Sequence, residues 1–164
     1  MIPESQRVLA VLNQAKVEYV VIGGVAMVAH GSARATFDLD LCYRRTNENI
    51  EKLCGALEPF HPRLRGAPKD LPFRFDKKTV QHGLNFTLET DLGDLDLLGE
   101  VAGLGFFETV LANSQIKQVE EMECRILSLD GLIRAKTAAG RKKDTEAIEE
   151  LKGLRDLKER LGDS

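Results

Sequence analysis

Apolar and polar residues follow each other along this chain in two patterns, which predict a mixture of strands and helices. Strand-like runs, either continuously apolar or alternating residue by residue, cover 17–22, 37–43, 84–89 and 95–98. Helical spacing predicts helices over 4–15, 25–30, 47–57, 106–112, 129–139 and 144–161, and a hairpin is predicted from 115–121 and 123–127. The order of these elements indicates an α+β fold, in which a mixed β-sheet is flanked by α-helices and C-terminal helices (about 129–161) complete the chain.

The chain length matches a single domain that covers residues 1–164. Hydrophobic residues make up 43% of the sequence and charged residues 30%, which is typical of a globular protein and excludes low-complexity disorder. No apolar run approaches the ~18 residues of a membrane-spanning helix, and the N-terminus is typical of an amphipathic helix, not of a signal peptide. Three widely spaced cysteines without a Cys-x-x-Cys pair fit a reducing compartment. We therefore expect a cytoplasmic protein with no membrane partner.

Charge is unevenly distributed, although the formal net charge is only −3. Residues 61–82 carry six basic side chains against two acidic ones, whereas residues 86–124 carry nine acidic side chains against one basic. Four of the five prolines fall within 59–72, which predicts an irregular segment. We call residues 59–82 the basic insertion. It is either ordinary surface variation or a flap that faces an acidic, metal-binding site and attracts a polyanionic acceptor.

Two pairs of aspartates alternate with leucines on predicted strands. Asp38 and Asp40 lie two residues apart, so their side chains point to the same face of the strand. Asp94 and Asp96 repeat this pattern on a later strand. A solvated strand face tolerates such like charges, whereas a buried face requires a cation. If the two strands are neighbours, their carboxylates converge, and oxygen ligands at that density suit Mg²⁺ or Mn²⁺ and not zinc.

Gly23 and Gly24 separate the first predicted strand from the helix that follows it. Glycine at such a position lets a ligand approach the backbone closely, and a helix N-terminus offers free N–H groups to a phosphate. The sequence matches neither a Walker A loop nor Gly-x-Gly-x-x-Gly. The alternative interpretation is that the two glycines only make a tight turn.

These features in this order resemble the nucleotidyltransferase superfamily. The pattern consists of the Gly23-Gly24 turn, the run Arg34-Ala-Thr36-Phe-Asp38-Leu-Asp40, which begins about ten residues later, and Asp96 on a separate strand. The segments 90–100 (TDLGDLDLLGE) and 127–144 (LSLDGLIRAKTAAGRKKD) are similar to the third-aspartate and C-terminal segments of small bacterial members. The resemblance is to the AbiEii-toxin-like branch, and it covers residues 17–45 and 84–150.

The resemblance implies metal-dependent transfer of a nucleoside monophosphate from an NTP to a hydroxyl. Asp38, Asp40 and Asp96 would be the catalytic residues and would hold two Mg²⁺ or Mn²⁺ ions, with Asp96 as the general base. The implied nucleotide- and phosphate-binding residues are Gly23, Gly24, Arg34, Thr36, Lys136 and Arg141. Asp144 is a further candidate, although capping of the last helix explains it equally well. Many members carry Ser after the first glycine, whereas Gly24 here removes one hydroxyl donor.

Two classes of function follow from these residues. The first is an active nucleotidyltransferase whose acceptor is unknown and could be RNA, a protein or a small molecule. The second is a degenerate relative that binds a nucleotide, a metal or a partner protein without turnover. The AbiEii-like resemblance also implies a possible toxin role with an antitoxin partner. Retention of all three aspartates favours the active enzyme.

Overall fold

Strands and helices follow one another in the predicted order as far as residue 57. A computed structural model describes residues 3–33, 38–119 and 121–162. Within these residues the helices are α1 (Pro3–Gln14), α2 (Gly23–Ala29), α3 (Asn47–Leu57), α4 (Lys77–His82), α5 (Phe107–Ala112), α6 (Leu129–Ala139) and α7 (Thr145–Arg160). The strands are β1 (Tyr19–Ile22), β2 (Leu39–Tyr43), β3 (Arg63–Leu64), β4 (Phe86–Thr90), β5 (Gly93–Leu98), β6 (Glu100–Val101), β7 (Gly105–Phe106), β8 (Ser114–Val119) and β9 (Met122–Leu127).

The main sheet is mixed and has the order β3-β4-β5-β2-β1-β9-β8. β2 pairs antiparallel with β1 and parallel with β5. This arrangement confirms the predicted α+β class, and it places the two aspartate-bearing strands side by side. In the register, Asp40 lies between Ile22 on β1 and Asp96 on β5.

The alternation of leucine and aspartate divides β2 and β5 between the core and the site. Leu39, Leu41, Leu95 and Leu97 are at most 1% exposed. Their burial stabilises the sheet by about 2 kcal/mol for each side chain and leaves the aspartates on the opposite face. Helices cover the sheet, with α2 and α5 against β1 and β2, and with α6 packed against α7.

Local signals set the ends of several helices. The Thr46 side chain accepts a hydrogen bond from Asn49 N and begins α3, and Ser128 does the same for α6 through Gly131 N. Gly140 ends α6 in the left-handed conformation, with a φ of 64°. Gly23 belongs to α2 itself, so this helix begins two residues before the predicted start.

The basic insertion is more ordered than its prolines predict. β3 lies inside it and pairs with β4, and α4 follows β3, with its N-terminus capped by Asp76, whose carboxylate accepts from Thr79 N at 2.9 Å. The apolar pattern missed α4 because a six-residue helix buries only Val80 and shows no periodicity. The β6–β7 hairpin was not predicted either, because strands of two residues are too short to show an alternating pattern. Phe37, the predicted start of the second strand, lies outside the described residues.

In the part of the chain that the structure describes, no helix has both the length and the apolar character needed to cross a bilayer.

Candidate active site

Asp40 and Asp96 are direct neighbours on adjacent parallel strands. The Asp96 carboxyl group opposes the ionisation of the Asp40 carboxyl group beside it. The pKa of Asp40 is raised to about 7, mainly by burial and further by the interaction with Asp96 and the negative charge of Asp38, against the opposing charge of Lys136. The pair is therefore poorly compensated near neutral pH, and a cation would stabilise it.

Gly23 allows the Asp40 carboxylate to lie directly against the backbone. Its φ is +68°, and a Cβ atom at this position would overlap Asp40 Oδ2. Any other residue would suffer both backbone strain and a collision with the carboxylate. The glycine is therefore required by the position of Asp40, a reason that the sequence pattern did not reveal.

The cationic part of the site is organised by Asp144. Its carboxylate accepts from Lys136 Nζ at 3.2 Å and from Arg141 Nε at 2.7 Å. Burial alone would raise the pKa of Asp144, but the hydrogen bonds from Arg141 and Lys136 hold it below its ordinary value. Asp144 occupies the N-cap position of α7, yet its side chain makes no capping bond there. The capping alternative is therefore wrong, and Asp144 orients two candidate phosphate-binding side chains.

One cavity of about 350 Å³ unites most of the predicted site. Six of the predicted residues line it: Gly23, Gly24, Asp40, Asp96, Lys136 and Arg141. Asp38 is exposed just before β2 and raises the pKa of Asp40 through its charge. Arg34 and Thr36 lie outside the described residues. A larger cavity of about 420 Å³, lined by Tyr19 and Cys124 among others, contains none of the predicted site residues.

Arg65 belongs to the basic insertion, whose arginines the sequence predicts to bind the acceptor, but its contact with the site aspartates was not predicted. Its Nη2 atom donates to Asp96 Oδ1 at 2.8 Å, and its Nε atom lies 3.3 Å from Asp94 Oδ2. The segregation of charge was the available signal, because Arg65 belongs to the basic insertion. Other cations of the insertion form ion pairs elsewhere, such as Arg63 with Asp91 and Lys77 with Glu51.

The donor set fits a hard divalent cation at Asp40 and Asp96. Two partly buried carboxylates that repel each other supply the oxygen ligands that Mg²⁺ and Mn²⁺ prefer. Across residues 3–33, 38–119 and 121–162, no three His, Cys, Asp or Glu side chains lie close enough together to hold a metal in this conformation. The structure brings Asp40 and Asp96 together, but the predicted convergence of Asp38 with them on one metal site is not seen, because Asp38 is exposed before β2 begins.

Several solved structures have the same fold as this chain. The lincosamide antibiotic adenylyltransferase LnuA, solved with lincomycin bound, matches with a TM-score of 0.61 at 15% identity over 94% of this chain and 98% of that one. ANT(2″)-Ia in complex with adenylyl-2″-tobramycin matches with a TM-score of 0.55 at 16% identity over 93% of this chain and 92% of that one. TM1012 from Thermotoga maritima, for which nucleotidyltransferase activity has been proposed, gives 0.56 at 18% identity over 92% and 94%.

No protein-family model and no curated protein sequence matches the chain. The structural matches nevertheless cover nearly the whole length of both partners. The chain therefore has the nucleotidyltransferase fold, and the predicted resemblance is confirmed at the level of the fold. The AbiEii-like subgroup stays a prediction.

Proposed function

We propose that the protein is a metal-dependent nucleotidyltransferase that transfers a nucleoside monophosphate from an NTP to a hydroxyl of an acceptor. The observation that carries the proposal is the cavity in which the Asp40–Asp96 pair faces Lys136 and Arg141. Carboxylates that attract a divalent cation and cations that attract phosphates are the two halves of a site for a metal-bound triphosphate. The nucleotidyltransferase fold supports the same chemistry.

Each residue of the cavity has a defined task in this proposal. Lys136 and Arg141 bind the phosphates with the N–H groups that Asp144 does not use, and Gly23 leaves space for the Asp40 carboxylate. Asp38, Asp40 and Asp96 hold Mg²⁺ or Mn²⁺, which when bound supplies charge neutralisation of the triphosphate and the leaving pyrophosphate. The Asp96 carboxylate accepts the proton of the acceptor hydroxyl as the hydroxyl oxygen attacks the α-phosphorus and pyrophosphate leaves. Gly24, Arg34 and Thr36 are further phosphate-binding candidates.

The acceptor is the open part of the proposal. LnuA was solved with lincomycin and ANT(2″)-Ia with an adenylylated tobramycin, which supports a small hydroxylated molecule. The AbiEii-like resemblance supports instead a toxin that modifies RNA or protein and has an antitoxin partner. In either case we place the protein in the cytoplasm, where NTPs are available, and its three free thiols fit that compartment.

The test supplies each labelled NTP with Mg²⁺ and one acceptor class at a time: a lincosamide, an aminoglycoside, total RNA and a protein extract. We expect pyrophosphate release and label on one acceptor class. The Asp40→Asn variant should be slower by at least about 10³-fold, because a metal carboxylate contributes several kcal/mol to the transition state. Asp130→Asn is the matched control, since that carboxylate is 72% exposed and pairs with Arg155. Equal rates for Asp40→Asn and Asp130→Asn would contradict the proposal.

A second function, nucleotide binding without turnover, is favoured by one observation. Arg65 already holds an oxygen of Asp96, the predicted general base. In such a degenerate relative, Mg²⁺-dependent NTP binding would be equal in the wild type and the Asp38→Asn variant, and no acceptor would be labelled. The active enzyme predicts weaker NTP binding by Asp38→Asn.

A further inference from the structure

The basic insertion reaches the candidate active site through Arg65, which is held in a defined position. Its Nη2 atom donates to Asp96 Oδ1 and to the carbonyl oxygen of Leu88, each at 2.8 Å. Its backbone N–H bonds to the carbonyl oxygen of Thr87 at 3.0 Å, which continues the pairing of β3 with β4. The guanidinium is therefore fixed by the sheet edge and does not depend on the carboxylates alone for its position.

The register explains why Arg65 reaches Asp96. Thr87 pairs with Asp96 across β4 and β5, and Asp96 pairs with Asp40 across β5 and β2. Arg65 lies beside Thr87, so its side chain extends over β4 in the same row as both carboxylates. The Arg65 side chain is 26% exposed, against 52% for Arg63 on the same edge, so water screens its charge less.

We propose that Arg65 supplies the positive charge that a second divalent cation supplies in a two-metal site, so that this chain binds one divalent cation with its nucleotide. The inference rests on the proposed function and specifies its metal content. The guanidinium occupies one oxygen of Asp96 and lies 3.3 Å from Asp94 Oδ2. It leaves Asp38, Asp40 and the second oxygen of Asp96 for a single ion, and it repels another cation placed beside it.

Counting bound Mn²⁺ tests the inference without any acceptor. The full chain is dialysed against Mn²⁺ with saturating α,β-methylene-ATP, which cannot transfer its nucleotide, and a dialysis without protein corrects for metal held by the nucleotide alone. We expect one Mn²⁺ per wild-type chain and two per chain in Arg65→Ala. Arg65→Gln keeps a donor for Leu88 without the charge and should also bind two, which guards against a folding defect in the alanine variant.

Two further variants separate charge from position. Arg65→Lys keeps the charge and should bind one Mn²⁺, as should Arg63→Ala, which removes a cation from the same edge. Two Mn²⁺ in the wild type, or one in both Arg65→Ala and Arg65→Gln, would overturn the inference while leaving the proposed function intact. Two in Arg65→Lys would show that charge is not what excludes the second ion. Absence of Mn²⁺ and nucleotide binding in the wild type would contradict the proposed function itself, and this inference with it.

Discussion

Asp40 lines the cavity, and Asp144 binds two of its cationic side chains, Lys136 and Arg141. The surroundings of the two carboxyl groups nevertheless shift their pKa values in opposite directions. Asp40 lies beside another carboxylate on β5, and its pKa is raised to about 7, first by burial and then by Asp96. Asp144 is only 6% exposed but accepts hydrogen bonds from two cations, and its pKa lies below the ordinary value. Burial opposes ionisation in both places, so the partners decide the outcome.

The Asp40–Asp96 pair needs a bound cation to compensate its charge, whereas the charge of Asp144 is compensated within the protein. The charge on Asp144 is already compensated by Lys136 and Arg141, so this region contributes stability and orients the cations. The charge on the Asp40–Asp96 pair is compensated only in part by Arg65, so this region loses stability near neutral pH unless a cation binds. Substitutions by asparagine should therefore change stability in opposite directions in the two regions.

Asp144→Asn should have the largest effect on stability. We expect a loss of about 2–3 kcal/mol at neutral pH, because removing one partner leaves the largely buried Lys136 ammonium without its carboxylate. The depressed pKa of Asp144 contributes stability above the ordinary value of 3.8, and that contribution is lost as the pH falls through the lower folded value. Urea unfolding at neutral pH and at about pH 3 measures both effects.

Asp130→Asn is the control for this substitution, because it removes an aspartate from an ion pair with Arg155 that is largely exposed. Its cost should stay below about 1 kcal/mol. If Asp144→Asn is no more destabilising than Asp130→Asn, Asp144 does not compensate Lys136 in solution.

The two regions also differ in how far the sequence predicts them. Strand alternation places Asp40 and Asp96 on polar faces, and the nucleotidyltransferase resemblance pairs them. The contacts of Arg65 are harder to predict from the sequence, because its partner Asp96 lies 31 residues away along the chain and Arg65 itself belongs to the proline-rich insertion. For Asp144 the sequence left a capping role and a site role open, because its contact with Lys136 on the preceding helix α6 cannot be predicted from residue spacing.

Asp40→Asn should stabilise the metal-free protein. The folded pKa of Asp40, about 7, lies above its ordinary value of 3.8, so the folded state keeps a proton that the unfolded state releases. Wild-type stability therefore falls as the pH rises from about 4 to above 7. The amide removes this dependence and can donate to Asp96, so we expect a gain of about 2 kcal/mol at pH 8 and less than half of that at pH 5.

Unfolding in the presence of EDTA at both pH values measures this gain, and added Mn²⁺ should stabilise the wild type more than the variant at pH 8. A destabilising effect of Asp40→Asn at pH 8 would mean that the two carboxylates do not repel each other in solution.

Arg141→Gln should have the smallest effect on stability. Together with Lys136→Gln it tests which of the two cations compensates the charge of Asp144. The Arg141 side chain is 53% exposed, whereas Lys136 is 17% exposed. A half-exposed ion pair contributes at most about 1 kcal/mol, so Arg141→Gln should cost less than Lys136→Gln in urea unfolding. NTP binding should still weaken in both variants, because each removes a positive charge that lines the cavity. A stability loss from Arg141→Gln that exceeds the loss from Lys136→Gln would reverse these roles, and would make Arg141 the residue that compensates Asp144.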